Sequence, residues 1–247
     1  MLEVCVDSVQ AAVLAERSGA DRIELSVRLE VGGLTPPAHL IEEVRQAIQL
    51  PLIVLIRSRP GDFVYSDLEC ERMVMEATQA IERGADGIAI GGLLHDCQLN
   101  LPFLRHAAVS LRKGELVVHR AFDQVPNPES GIETLIELGY QRILTSGGPD
   151  HAIDGVPSLA KFVLWARDRI EILPAGGIGP HNAIEILTLG RCKQLHGSFR
   201  VRPASSLGSN LPDPDAISQT RDLLLGFKTR MLGPTPQQSC TKEIHHQ

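Results

Sequence analysis

The chain has 247 residues, of which 43% are hydrophobic and 22% charged, and its formal net charge is −6. This length suits one large domain, and the acidic balance without a Lys/Arg-rich run argues against a nucleic-acid partner. No stretch looks like a signal peptide or reaches membrane-spanning length, and the five cysteines show no C-x-x-C spacing. We therefore expect a cytoplasmic protein with free thiols and no membrane partner.

A short internal repeat recurs along most of the chain. Gly19-Ala20-Asp21 introduces a short apolar run, and similar segments begin at Gly84, Gly139 and, more faintly, Gly190. These glycines are 65, 55 and 51 residues apart. Each follows a helical pattern, as expected of a glycine that ends a helix before a strand. A βα unit of a barrel takes about 30 residues, so the repeats predict strands 2, 4, 6 and 8.

The remaining strands lie between the repeats. They are predicted at Leu2–Val6, Leu52–Arg57, Glu115–His119 and Glu171–Pro174. Periodic helical stretches separate them, and the last helix is predicted at Ala216–Met231. Alternating strands and helices indicate a parallel sheet, and eight units favour a single (β/α)8 TIM-type barrel, with an open doubly wound sheet as the alternative. We assign residues 1–231 to the barrel with its C-terminal helix and 232–247 to a disordered tail.

Polar side chains are predicted to converge inside this barrel. Because strand residues alternate between the helix layer and the lumen, Glu3 and Cys5 of strand 1 face inward, and so does Glu24 of strand 2. His196 of strand 8 joins them, since strands 8, 1 and 2 are neighbours. Burying charged side chains of this kind is costly unless they are paired with opposite charges or bind a ligand. The alternative is an internal ion-pair network of Glu3, Glu24 and Arg57 that binds no substrate.

Two further candidates follow strands 3 and 5, at the strand ends where barrels keep their active sites. Arg57 and Arg59 lie on a Gly/Pro-structured loop and could clamp an anionic substrate, or Arg59 could simply pair with Asp62. His119 and Asp123 could act as general base and orienting acid, although a purely structural pair would look the same. Our catalytic candidates are thus Glu24, Arg57, His119 and Asp123.

The late loops offer a possible anion-binding position. Small residues follow strands 6 and 7, where backbone amides can approach an anion, and a cation follows strand 8. These ligand-binding candidates are Thr145, Ser146, Gly147, Gly176, Gly177 and Arg200, together with Arg59. Glycines after strands also serve tight turns, which is the simpler interpretation.

The assembled segments resemble the CutC copper-homeostasis family. The matching segments include Leu2–Ser8, Gly19–Leu25, Gly32–Pro36, Gly61–Asp67, His119–Asp123, Ile143–Gly147, Gly176–Ile178 and His196–Ser198. The resemblance spans about residues 2–200 and implies a cytoplasmic barrel that handles copper, without a firmly assigned reaction. Our candidate metal ligands are Cys5 and His196. This chain has Ser26 and Gly197 where copper-binding members of the family have cysteine. Cu(I) favours soft thiolates, and Cys5 is the thiol that remains.

The sequence leaves three functions open. The first is CutC-like copper binding and homeostasis. The second is an enzyme that acts on a small phosphorylated or carboxylated metabolite, and the third is a sensor that binds such a metabolite in the same pocket. The oxygen and imidazole ligands would also suit a harder divalent ion such as Mn, Mg or Zn. The expected partner is a metal or small molecule, and a homo-oligomer stays open.

Overall fold

A computed structural model describes residues 1–111, 113–200 and 211–232 of the chain. Strands and helices alternate throughout. The strands are β1 (Leu2–Val6), β2 (Arg22–Leu25), β3 (Leu52–Ile56), β4 (Gly87–Ile90), β5 (Glu115–Val118), β6 (Arg142–Thr145), β7 (Glu171–Pro174) and β8 (Leu195–Gly197). The helices are α1 (Val9–Arg17), α2 (Ala38–Ala47), α3 (Asp67–Glu82), α4 (Leu101–Ser110), α5 (Pro128–Glu137), α6 (Val156–Ala166), α7 (Ala183–Leu189) and α8 (Pro214–Leu232).

The eight strands are parallel and form a nearly closed barrel. Each strand from β1 to β6 pairs with the next in sequence order, and β8 returns to pair with β1 through the register Leu2↔Leu195. A doubly wound sheet would place its first strand centrally and change direction there, whereas here the last strand lies beside the first. The predicted (β/α)8 barrel is therefore confirmed, and the open sheet is excluded.

Local signals place the helix ends. The Ser8 hydroxyl accepts a hydrogen bond from the Ala11 amide at 3.2 Å and begins α1. Gly19, Gly84 and Gly139 have φ values of +98°, +97° and +81°, in the left-handed region that glycine adopts without strain. They end α1, α3 and α5 as predicted. Gly190 differs, because its φ is −76° and it stays right-handed, so the faint fourth repeat does not have the same turn.

The barrel interior is divided into an apolar and a polar sector. An inner apolar cluster fills the lumen beside β3 to β7, and it consists of Ile53, Leu55, Ala89, Val117, Leu144, Leu173 and Ala175. The alternate residues of the strands pack outward against the helices, as Val4 and Val6 do on β1. The side chains on the lumen side of β8, β1 and β2 are polar. This division of the lumen positions the candidate site.

The C-terminal part of the described chain is helical. Helix α8 runs from Pro214 to Leu232, one residue beyond the predicted end. Residues 233–247, most of the predicted disordered tail, lie outside the described residues. Within the described ranges, none of the helices combines the length and the apolarity that a membrane span requires.

Candidate functional site

A cavity of about 250 Å³ lies at the carboxyl ends of the strands. Its polar lining includes Cys5, Glu24, Arg57, His119 and His196, which come from β1, β2 and β8 and from the ends of β3 and β5. Five candidates from separate strands thus meet at one mouth of the barrel, where barrel proteins keep their chemistry.

A larger cavity of about 690 Å³ lies at the opposite end of the barrel. It is lined by residues such as Met1, Gln194 and Phe227, at the amino ends of β1 and β8 and on α8. The lining is mostly apolar and brings together none of the predicted site residues. Size alone therefore does not identify the functional site, and the smaller cavity at the strand ends is the better candidate.

Three potential metal ligands meet in the smaller cavity. Ligand atoms of Cys5, Glu24 and His196 all lie within 4.8 Å of one another, and all three residues are buried. Parallel pairing of the strands produces this arrangement, because Cys5 is in register with Glu24 and Glu3 is in register with His196. We call this group the metal triad. Glu24, predicted from sequence as a catalytic residue, is thus also a candidate metal ligand.

The imidazole of His196 is oriented by a carboxylate beneath it. His196 Nδ1 donates a hydrogen bond to Glu3 Oε1 at 2.7 Å. The other ring nitrogen, Nε2, lies 4.0 Å from Glu24 Oε1. A histidine that binds a metal through one nitrogen commonly donates from the other to a carboxylate, which fixes the ring and its tautomer. Glu3 stands in that relation to His196.

Glu3 is also the centre of a buried ion-pair network on the amino-terminal side of the triad. Arg22 Nε donates to Glu3 Oε2, and Arg22 Nη2 donates to Gln194 Oε1 at 3.0 Å. Arg22 is 1% exposed, so its positive charge is compensated by these partners and not by solvent. Arg22 was not among the residues predicted from sequence, although it lies two residues before Glu24 and therefore on the same face of β2.

Protonation of the triad responds to burial and to neighbouring charges. Burial, reinforced by the charge of Glu24, raises the pKa of the Cys5 thiol well above its ordinary value. Burial likewise raises the pKa of Glu24. Burial acts to lower the pKa of His196, but Glu24 and Glu3 outweigh it, and the net shift is upward. Each of the three shifts favours the protonated form of its group, and a bound metal ion would compete with these protons.

Arg57 does not belong to the ion-pair network, which corrects the predicted grouping of Glu3, Glu24 and Arg57. Its Nη1 donates to the carbonyl oxygens of Val31 and Gly33 at 2.9 and 3.2 Å, and its Nη2 donates to that of Gly61 at 2.9 Å. Across the described ranges, no carboxylate forms an ion pair with Arg57, and its buried Nε has no hydrogen-bond partner. Arg57 is thus a buried cation held by neutral carbonyls.

His119 and Asp123 are not paired with each other, although the sequence suggested that they could be. His119 Nδ1 accepts a hydrogen bond from the Ala121 amide at 3.2 Å, and Nε2 is buried without a partner in the described chain. Burial, together with the charge of Arg57, lowers the pKa of His119 to about 3. The ring is therefore neutral, and the Ala121 bond places its proton on Nε2.

Asp123 instead braces the loop after β6. Its carboxylate accepts hydrogen bonds from the amide and hydroxyl of Ser146, both at 2.9 Å, and from the Thr145 hydroxyl. Arg120 Nε donates to it at 2.8 Å, and the Gly147 amide donates to Thr145 Oγ1 at 2.9 Å. The polar groups predicted to receive an anion after β6 are thus occupied by this network. A sequence cannot distinguish the two roles, because the same residue types serve both.

The remaining anion candidates are divided between the cavity and the surface loops. Gly176 and Gly177 line the cavity, as predicted. Arg59 is bound to Asp62 at 3.0 Å and to Glu69 at 2.8 Å, which is the loop-bracing alternative. Arg200 Nη2 lies 2.6 Å from a carboxylate oxygen of Asp7. Neither arginine lines the cavity.

Fold and cavity together define a (β/α)8-barrel protein with a polar cavity at the carboxyl ends of its strands. The model of the CutC family matches residues 1–201. The chain belongs to the CutC family, which confirms the resemblance found in its sequence.

Named relatives agree with this assignment. A human protein named copper homeostasis protein cutC homolog is 42% identical over 200 residues, covering 81% of this chain and 73% of the relative. A CutC family protein of Histophilus somni is 37% identical over 210 residues, covering 85% and 86% of the two chains. The crystal structure of a CutC protein from Streptococcus agalactiae superposes with a TM-score of 0.77 at 30% identity, covering 80% of this chain and 98% of that one.

Proposed function

We propose that this chain is a copper homeostasis protein whose barrel mouth binds one metal ion through Cys5, Glu24 and His196. The proposal is supported by the names of its relatives and by one observation in particular, the three ligand atoms within 4.8 Å of one another. Thiol, carboxylate and imidazole are the side chains that most often bind transition metals. Here they come from three neighbouring strands of a rigid barrel, which favours a preformed site over a fortuitous cluster.

The ligand set suits more than one ion. The Cys5 thiolate and the His196 imidazole are acceptable to Cu(I), whereas the Glu24 carboxylate also suits Zn²⁺ or Cu²⁺. Ser26 Oγ lies 3.5 Å from Cys5 Sγ, so the position where copper-binding relatives have a second thiol holds a hydroxyl here. With three protein ligands, the fourth coordination position of a tetrahedral ion stays open to water or substrate, as it does in catalytic zinc sites. A harder divalent ion is therefore the second candidate.

The proposed location is the cytoplasm. Cys5, Cys70, Cys97 and Cys192 are all free thiols in the structure. Free thiols are typical of proteins in a reducing compartment, where copper is available as Cu(I).

The test is a metal titration with a matched control. The protein is purified without a tag or chelator, its metal content is measured, and the reduced chain is titrated with Cu(I) and with Zn²⁺. We expect one ion per chain to survive dialysis. Cys5→Ser should abolish tight binding, whereas Cys192→Ser should not, because Cys192 is an equally buried thiol outside the triad. Binding that is unchanged in Cys5→Ser would contradict the proposal.

A further inference from the structure

We propose that the same cavity holds a second and independent position, on Arg57 and His119, that binds the carboxylate of a small organic acid. Both side chains line the cavity, and they are only 6% and 3% exposed. Each carries a buried nitrogen, Nε of Arg57 and Nε2 of His119, that has no partner within the described ranges. Buried N–H groups are rarely left unpaired, so two of them at one cavity point to a missing acceptor.

His119 supplies a neutral donor. Since Nδ1 accepts from the Ala121 amide at 3.2 Å, the single proton of the neutral ring resides on Nε2. The low pKa of His119, which results from burial and from Arg57, keeps the ring neutral across the physiological range. Nε2–H can therefore donate to a ligand oxygen without adding a second positive charge.

Arg57 supplies the charge. Its Nη1 and Nη2 groups are held by the carbonyl oxygens of Val31, Gly33 and Gly61, which fix the guanidinium but leave its charge uncompensated. A buried cation without a carboxylate partner is costly, and an anionic ligand would supply that partner. This distinguishes Arg57 from Arg22, which has Glu3 as its partner.

Phe63 covers the two donors from one side. Its ring centroid lies 4.9 Å from Arg57 Cζ and 5.1 Å from the centroid of the His119 ring. The aromatic ring limits the access of water to both groups. A hydrogen bond to an anion is stronger in such a sheltered, low-dielectric position than at the surface.

The number of free donors and the volume of the cavity favour a small carboxylate over a phosphate. Two N–H groups match the two oxygens of a carboxylate, whereas inorganic phosphate presents four oxygens and more charge. The hydroxyls of Thr145 and Ser146, which could have served a phosphate, are bound to Asp123. The volume of about 250 Å³ lies below the range of about 300–1,000 Å³ typical of drug-sized ligands. We therefore expect an acid of a few carbon atoms.

Pyruvate is a suitable probe, with acetone as its uncharged counterpart and inorganic phosphate as the competing anion. The full-length protein is first freed of metal with a chelator and dialysed, so that failure of the metal proposal does not affect the result. Binding is measured by calorimetry and by the imidazole ¹⁵N resonances of histidine-labelled protein. We expect pyruvate to bind more tightly than phosphate and to shift the His119 Nε2 resonance, and acetone to leave it unchanged.

Two substitutions of His119 form a matched pair. In His119→Asn the amide oxygen can take the place of Nδ1 and accept from Ala121, but nothing replaces Nε2. In His119→Gln the amide nitrogen can take the place of Nε2. We expect pyruvate affinity to fall about tenfold or more in the Asn variant and to change much less in the Gln variant, because the lost hydrogen bond is made to a charged group.

Tyr65→Phe tests a competing explanation, since the Tyr65 hydroxyl is buried near Arg57 and also lacks a partner. If the Tyr65 hydroxyl occupied the Arg57 donor, its removal would free that donor and the Phe variant would bind pyruvate more tightly than the wild type does, whereas the proposal predicts equal affinities. Folding of each variant is verified by circular dichroism. The proposal is overturned if the wild-type protein binds no pyruvate or prefers phosphate, or if a folded Asn variant binds pyruvate as the wild type does. An unshifted His119 resonance in wild-type protein saturated with pyruvate overturns it without any variant.

Discussion

Glu3 and His196 are joined by a hydrogen bond of 2.7 Å between Oε1 and Nδ1, at the floor of the cavity. The bond connects two adjacent strands, and Glu3 is only 2% exposed. It directs His196 Nε2 toward the other members of the metal triad. Glu3 also forms the ion pair that neutralises Arg22. A single carboxylate therefore links the buried ion-pair network to the candidate metal site.

Replacing Glu3 should therefore affect both metal binding and stability. In Glu3→Gln we expect metal affinity to fall by about 10- to 100-fold, because the partner that orients the histidine is weakened. The free energy of unfolding should fall by about 3–5 kcal/mol, because the buried Arg22 loses its counter-charge. Zn²⁺ titration and urea unfolding measure the two effects.

Glu133→Gln is the control for that substitution, since Glu133 forms an exposed ion pair with Arg169. Neither metal affinity nor stability should change noticeably in this variant. If a folded Glu3→Gln protein binds Zn²⁺ as tightly as the wild type, Glu3 does not orient the metal ligand.

Metal affinity should rise with pH. The pKa values of Cys5 and His196 are both raised, so each group retains its proton to higher pH than usual, and metal binding competes with that proton. Between about pH 6 and about pH 8, the logarithm of the Zn²⁺ association constant should increase by about one to two per pH unit. Calorimetry in buffers of different ionisation enthalpy counts the released protons. A pH-independent affinity over this interval would be inconsistent with ligation by the two groups.

Ser26→Cys should convert the triad into a better Cu(I) site. Ser26 Oγ lies 3.5 Å from Cys5 Sγ, so a thiol at this position can share a metal ion with Cys5. Because Cu(I) prefers thiolates, we expect its affinity to increase by about tenfold or more in competition with a Cu(I) chelator. Ser26→Ala is the matched control and should not show the gain. Equal Cu(I) affinity in the two variants would show that the ion does not bind beside Cys5 and residue 26.

His119 should make the protein sensitive to acid. Its pKa is lowered from 6.5 to about 3 in the folded state, so the unfolded chain takes up this proton first as the pH falls. The contribution of His119 to stability is complete above its unfolded pKa and is lost as the pH falls toward the folded value. Between neutral pH and about pH 5, the resulting loss is about 2 kcal/mol.

Urea unfolding at the two pH values measures this effect. His119→Asn should lose about 2 kcal/mol less stability on acidification than the wild type does. His39→Asn, which replaces an exposed histidine, serves as control and should behave like the wild type. The same pH dependence in all three proteins would show that His119 is not buried in its neutral form.

The fold could be predicted from sequence because its signals are local and repeated. Glycines that end helices, apolar runs for strands and periodic helices between them recur along the chain. These signals predicted the bounds of β1 and β7 and the inward direction of Cys5 and Glu24. Alternation along β2 could also have identified Arg22, because Arg22 and Glu24 share one face of the strand.

The partners of the polar residues could not be predicted in the same way. His119 and Asp123 are close in sequence, yet one binds a backbone amide and the other braces the loop after β6. Arg57, Arg59 and Arg200 have similar chemistry, but only Arg57 lines the cavity. Which acceptor a side chain reaches depends on loop paths and on the register between strands, and residue type does not determine either.

X-ray absorption spectroscopy of the metal-loaded protein tests the central claim most directly. With one Zn²⁺ per chain, the account predicts one sulfur ligand at about 2.3 Å and nitrogen or oxygen ligands at about 2.0–2.2 Å. The sulfur signal should persist when Cys240, His245 and His246 of the C-terminal segment are replaced together, and it should vanish in Cys5→Ser. A spectrum without sulfur, or a sulfur signal that survives in Cys5→Ser, would contradict the assignment of the metal to this cavity.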